Sequence, residues 1–75
     1  MFCKEIFSQR LLELRSASNV SQNVLANAIG INRTAITHME KGERAASIEV
    51  LCALAEYFNV SLDYLVGLSD DPKRH

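Results

Sequence analysis

The chain has 75 residues, 48% of them apolar and 23% charged, the profile of one small folded domain. A chain this short buries only about 60% of its unfolded surface, so its core is thin and cannot hold a deep substrate cleft beside a second domain. The net charge of −1 points to no particular partner, and no apolar run is long enough to cross a membrane. Lys4 and Glu5 interrupt the N-terminal stretch MFCKEIFSQR, which therefore lacks the form of a signal peptide. Cys3 and Cys52 make no disulfide framework, which fits a reducing cytoplasm. The charge is unevenly spread: residues 1–44 carry six bases against four acids, and residues 45–75 carry two against five. The first part, at +2, suits an anionic partner better than the second, at −3.

In chain order, helix starts and stops divide the sequence into five runs, about 4–18, 22–29, 33–41, 48–58 and 62–66. Ser21, Asn32, Ser47 and Ser61 each precede a run and can accept hydrogen bonds from its first-turn N–H groups. Gly30, Gly42 and Gly67, with Asn19 and Asn59, stand where helices should end. The apolar spacing within each run is helical. Phe7, Leu11 and Leu14 share a face in the first run, Leu25, Ala26 and Ile29 in the second, Ile36 and Met39 in the third. Ile48, Leu51, Leu54, Ala55 and Phe58 form a stripe in the fourth, and Leu62 and Leu65 close the fifth. No stretch alternates as a strand would. The expected fold is all-α, a single domain over residues 1–68 followed by a short flexible tail, 69–75.

Runs two and three are joined by Gly30-Ile31-Asn32. A short link with a leading glycine lets two helices cross steeply, with Ile31 plugging the corner, the arrangement of a helix-turn-helix. The first turns of these two runs contain no acid, whereas runs four and five start with Glu49 and Asp63, as the helix dipole favours. Uncomplemented helix starts carrying amide and guanidinium groups suit a phosphate backbone. At 100° per residue, Arg33, Thr34, Thr37, His38 and Lys41 span about 140° of the side opposite Ile36 and Met39. Arginine can bind guanine with two hydrogen bonds, threonine offers a hydroxyl and a methyl that suits thymine, and His38 can donate to a purine acceptor. A plain solvated helix face has the same composition, so the pattern alone leaves both readings open.

The stretch from Val20 to Gly42, continuing through Ala45 to Leu65, resembles the Cro/C1-type helix-turn-helix domain of the XRE family. The combination that carries it is Ser21-Gln22, Leu25-Ala26, Gly30-Ile31, Ile36, Glu40-Lys41-Gly42 and Val60-Ser61-Leu62-Asp63, and the likeness extends over about residues 6–67. It implies a lambda-repressor-like five-helix bundle that binds double-stranded DNA and regulates transcription. Under it, Arg33, Thr34, Thr37 and His38 occupy base-reading positions. Asn32, Lys41 and Arg44 contact the backbone, and Gln22 binds a phosphate and braces the recognition helix. Arg15 and Glu40 form a structural pair tying helix one to the end of helix three. Ala45-Ala46 stands where a proline is frequent, so that loop is expected to be looser, and Glu43 beside the phosphate track should weaken contact there.

An enzyme is not expected. His38 lies on an outer face, His75 ends the tail, neither cysteine has a base partner, and no phosphate-binding glycine loop or metal spacing occurs. No cofactor, metal or small-molecule ligand is implied; a redox switch at Cys3 or Cys52 is a minor alternative. The stronger alternative is a protein-interaction module of the same fold, resembling an antitoxin or anti-repressor, that does not read DNA. Dimers would gain affinity by placing two recognition helices one turn of DNA apart, about 34 Å. Tyr57, Tyr64, Val66 and Leu68 are the candidates for a homodimer contact, with Leu12 and Val24 as a second patch. The resulting expectation is a cytoplasmic bacterial or phage repressor that seats its third helix in the major groove of an inverted-repeat operator.

Overall fold

The computed structural model describes residues 4–73; Cys3, Arg74 and His75 lie outside the described residues. Five helices follow in order: α1 (Lys4–Ala17), α2 (Gln22–Ile29), α3 (Arg33–Glu40), α4 (Ile48–Phe58) and α5 (Leu62–Val66). There is no strand among the described residues, and none of these helices is long and apolar enough to cross a membrane. Helix α1 packs on α3 and α5, α2 on α3 and α4, and α4 on α5.

The helix boundaries follow from local chemistry. Ser21, Asn32, Ser47 and Ser61 accept hydrogen bonds from the backbone N–H groups of Val24, Ala35, Val50 and Tyr64, satisfying donors that the first turn leaves unpaired. Asn19, Gly30, Gly42, Asn59 and Gly67 take positive φ values between 55° and 90°. After each of them the chain reverses, and the next residue returns its N–H to the carbonyl five residues back, at 2.8–3.1 Å. All five helices thus end in the same way, with the left-handed residue releasing the chain and a terminal carbonyl satisfied.

The core comprises Phe7, Leu11, Leu25, Ala26, Ala35, Ile36, Met39, Leu51, Leu54, Ala55, Val60 and Leu65. Leu14, Ile29, Phe58 and Leu62 pack against it partly buried, and Ile31 does so at the α2–α3 corner. Ile48, expected in the α4 stripe, is 66% exposed. It is the first residue after the Ser47 cap and lies a turn ahead of Leu51, the first α4 side chain buried in the core. Cys52, on the same helix, is exposed.

The segment expected as a flexible tail lies against the body over its described part. Arg10 of α1 donates to the Tyr64 carbonyl, to the Ser69 carbonyl at 2.6 Å and to Asp70 Oδ1 at 2.8 Å, while its guanidinium stacks over the Tyr64 ring 4.2 Å from the centroid. Ser61 N–H donates to the Pro72 carbonyl at 3.0 Å. This clasp closes around Gly67, where a Cβ would lie 3.1 Å from Ile6 Cδ1 in a backbone conformation of φ +90°. Gly67→Ala combines a left-handed penalty of about 1–2 kcal/mol with that crowding. Its unfolding midpoint in urea should fall by more than that of Gly30→Ala, where a Cβ would have open space.

Candidate nucleic-acid interface

Helix α3 turns Ala35, Ile36 and Met39 into the core and leaves Arg33, Thr34 and Lys41 exposed, with Thr37 and His38 half-buried. Asn32 caps its start as expected, its Oδ1 accepting from Ala35 N–H at 2.9 Å, and its amide is free to donate. The α3 start has no acid, and neither has α2.

The cations divide into two sets. Arg10 and Arg15 are held by the fold, Arg10 in the clasp and Arg15 against Glu40. The guanidiniums of Arg33 and Arg44 have no hydrogen-bond or ion-pair partner among the described residues, and the Lys41 ammonium has no carboxylate within 4.0 Å there. Three of the free cations therefore bracket α3, at its first residue, its cap and the loop beyond; Lys4 and Lys73 also have no carboxylate within 4.0 Å among the described residues.

Beneath this face lies one connected polar network. Glu40, its side chain 7% exposed, accepts from Arg15 Nε at 2.5 Å and Nη2 at 3.1 Å, a two-point ion pair from α1 to the end of α3. Gln22 at the start of α2 donates from Nε2 to Glu40 Oε1 at 2.9 Å. The Oε1 atom of Gln22 accepts from the Thr37 hydroxyl at 3.0 Å. Arg15 also donates to the Val20 carbonyl at 3.0 Å, holding the α1–α2 turn. The hydrogen bond to Glu40 pushes the Arg15 pKa further up against the opposing effect of burial, so the guanidinium stays charged. Thr37, whose hydroxyl was expected on the reading face, has two acceptors within the fold for its single hydroxyl hydrogen, Gln22 Oε1 and the Arg33 carbonyl at 3.2 Å, and its methyl remains for a ligand. Gln22 keeps one amide hydrogen beyond the network.

Glu43, expected beside the phosphate track, makes a defined contact within the chain: its Oε1 lies 2.7 Å from His38 Nδ1. That hydrogen bond, helped by the nearby Lys41 charge, holds the Glu43 carboxyl below the usual range. The pairing was not read from the sequence, although its signal is present, an acid directly after the helix-ending Gly42 and five residues beyond a histidine. Of the residues weighed for a dimer contact, Tyr57 and Leu68 are exposed. Val66 and Tyr64 are partly buried against the core, and Arg10 stacks on the Tyr64 ring. Leu12 and Val24 are also exposed.

The helix-turn-helix family model matches residues 11–65, and the chain belongs to that family, of Cro/C1 (XRE) type. It is 36% identical over 67 residues to the uncharacterized HTH-type transcriptional regulator YobD of Bacillus subtilis, covering 89% of this chain and 60% of YobD. The structure is similar to the restriction-modification controller protein C.AhdI of Aeromonas hydrophila, with a TM-score of 0.75, 34% identity and coverage of 83% of this chain and 94% of that one. It is also similar to the P22 c2 repressor solved in complex with a synthetic operator, with a TM-score of 0.81 and 26% identity over 85% of this chain and 97% of the repressor.

Removing Arg15 leaves a sheltered carboxylate with only the Gln22 amide for company. Arg15→Ala should destabilise the fold by about 1–3 kcal/mol, and Glu40→Gln in that background should recover part of the stability because the uncompensated charge is gone. Urea unfolding of the three proteins checks both. A carboxyl with a lowered folded pKa stabilises above its unfolded value of about 4.3 and loses that contribution as pH falls through the folded value. By carbon-detected NMR titration, Glu43 should therefore titrate lower in the wild type than in His38→Ala.

Proposed function

We propose that this chain is a sequence-specific double-stranded DNA-binding regulator of transcription, acting in the cytoplasm as a homodimeric repressor on an inverted-repeat operator. The observation that carries this reading is the α3 face. Three unpaired cations, Arg33, Lys41 and Arg44, bracket a helix whose start has no acid, while Arg10 and Arg15 of α1 are tied up in the fold. A face of that kind attracts phosphates without having to break ion pairs first.

In this reading α3 enters the major groove. Arg33, Thr34, Thr37 and His38 meet base edges; Asn32, Lys41, Arg44 and the remaining amide hydrogen of Gln22 meet the backbone. The likeness to a controller protein and to an operator-bound repressor supports it. So does the network under α3, because an orienting set of hydrogen bonds gives a short helix one defined pose on its target. Repression follows sterically, by occupation of a site that polymerase would otherwise use. Exposed Tyr57 and Leu68 are the residues proposed for contact with the second copy.

Enrichment of random duplexes by the purified protein tests the reading. An inverted repeat with half-sites about one helical turn apart is the expected product. Lys41→Ala should weaken all sequences alike and lower the slope of log affinity against log salt by about 1, whereas Thr37→Ser, which keeps the hydroxyl and loses the methyl, should change preference at one position per half-site. Absence of enrichment at low salt, with a flat salt dependence, would favour the protein-interaction module. A monomeric mass for the DNA-bound protein in sedimentation would remove the dimer.

A further inference from the structure

The five helix ends share one backbone geometry but not one side-chain chemistry. The residue returning its N–H is Val20, Ile31, Val60 or Leu68 after α1, α2, α4 and α5, apolar in each case, as is usual for this termination. After α3 it is Glu43. Its N–H donates to the His38 carbonyl at 3.0 Å and its Oε1 sits 2.7 Å from His38 Nδ1, so Glu43 is held twice on one residue. Gly42 at φ +75° makes the reversal that brings the two together. The backbone bond fixes where the carboxylate is, and the carboxylate then acts on the ring.

A carboxylate can only accept a hydrogen bond, and a neutral imidazole carries one hydrogen on one of its two nitrogens. The nitrogen facing Glu43 must therefore be the protonated one, because the hydrogen bond made by one ring nitrogen sets the state of the other. The Nε2 atom is left as a bare acceptor without a partner among the described residues, on a side chain 46% exposed. We infer that Glu43 is a specificity-determining residue: by fixing the Nδ1–H form of His38 it turns Nε2 into an acceptor, which selects a base presenting a donor in the major groove, adenine N6–H2 or cytosine N4–H2. This reverses the expectation that His38 donates to a purine acceptor. The base preference rests on α3 reading DNA as proposed above; the tautomer does not.

Two measurements on the full chain at pH 8 keep those parts separate. Nitrogen-15 NMR of the free protein should find His38 mainly as the Nδ1–H form, moving towards the Nε2–H form that a free imidazole prefers in Glu43→Ala; the same spectra report whether that variant is folded. Selection from random duplexes should show one half-site position, identified by its loss of preference in His38→Ala, where the wild type prefers adenine or cytosine over guanine by roughly three- to tenfold, the range of one net hydrogen bond. In Glu43→Ala that preference should collapse or turn towards guanine. An Nε2–H ring in the wild type overturns the inference outright. So does an enriched operator whose preferences are unchanged by His38→Ala or Glu43→Ala, which would leave the DNA-binding reading intact. Failure of the wild type to enrich any sequence, with an Nδ1–H ring, would instead overturn that reading and with it the role in specificity.

Discussion

The orientation of α3 depends on one carboxylate. Glu40 receives Arg15 from α1 and Gln22 from α2, and Gln22 in turn receives Thr37 of α3 itself. The apolar side of α3 is small, Ala35, Ile36 and Met39. Burying such side chains contributes on the order of 1.5–3 kcal/mol for each of the larger ones, but apolar contact is non-directional and tolerates a helix that slides or rolls slightly. Hydrogen bonds with fixed geometry do not tolerate this. In this small bundle the apolar core supplies the energy that holds α3 in place, and the Glu40 network supplies its angle.

The same division explains the charges. Averaged over the sequence, a balance of −1 says little, and even the +2 of residues 1–44 overstates what an approaching anion meets. Arg10 stacks on Tyr64 and pairs with Asp70 from the far end of the chain, and Arg15 is paired with Glu40. With those bases engaged, three of the unpaired cations, Arg33, Lys41 and Arg44, lie around α3. Local arrangement outweighs net charge here because interactions between exposed charges fade over about 8–10 Å at physiological salt.

The polar pairs differ in what they contribute. Arg15–Glu40 is largely sheltered and joins distant segments, so it orients helices. His38–Glu43 is exposed on both sides, where a polar pair adds little to stability, and its consequence is chemical, in which ring nitrogen carries the hydrogen. Arg10 acts between these extremes, drawing residues 69 and 70 onto the α1–α5 face and covering a tyrosine that otherwise would offer its ring to a partner.

Much of the fold was legible in the sequence because helix termination is a local matter. A serine or asparagine that caps, and a glycine or asparagine that turns left-handed, act on backbone groups within five residues, so the five boundaries could be placed without knowing what packs on what. The helical spacing likewise identified Phe7, Leu11, Leu25, Ile36 and Leu54 as core, and the resemblance singled out Arg15 and Glu40 as partners. Tertiary structure alone decided the rest. Whether Ile48 is buried depends on where α4 begins to meet its neighbours; whether residues 69 and 70 lie on the body depends on Arg10, some sixty positions away. Whether Thr37 presents a donor or an acceptor depends on Gln22, whose side chain reaches it only once α2 and α3 are packed, whereas His38 meets Glu43 locally, through the turn at Gly42. Periodicity assigns a residue to a face, but the hydrogen-bonding state of that residue is set by neighbours that the chain brings close only by folding.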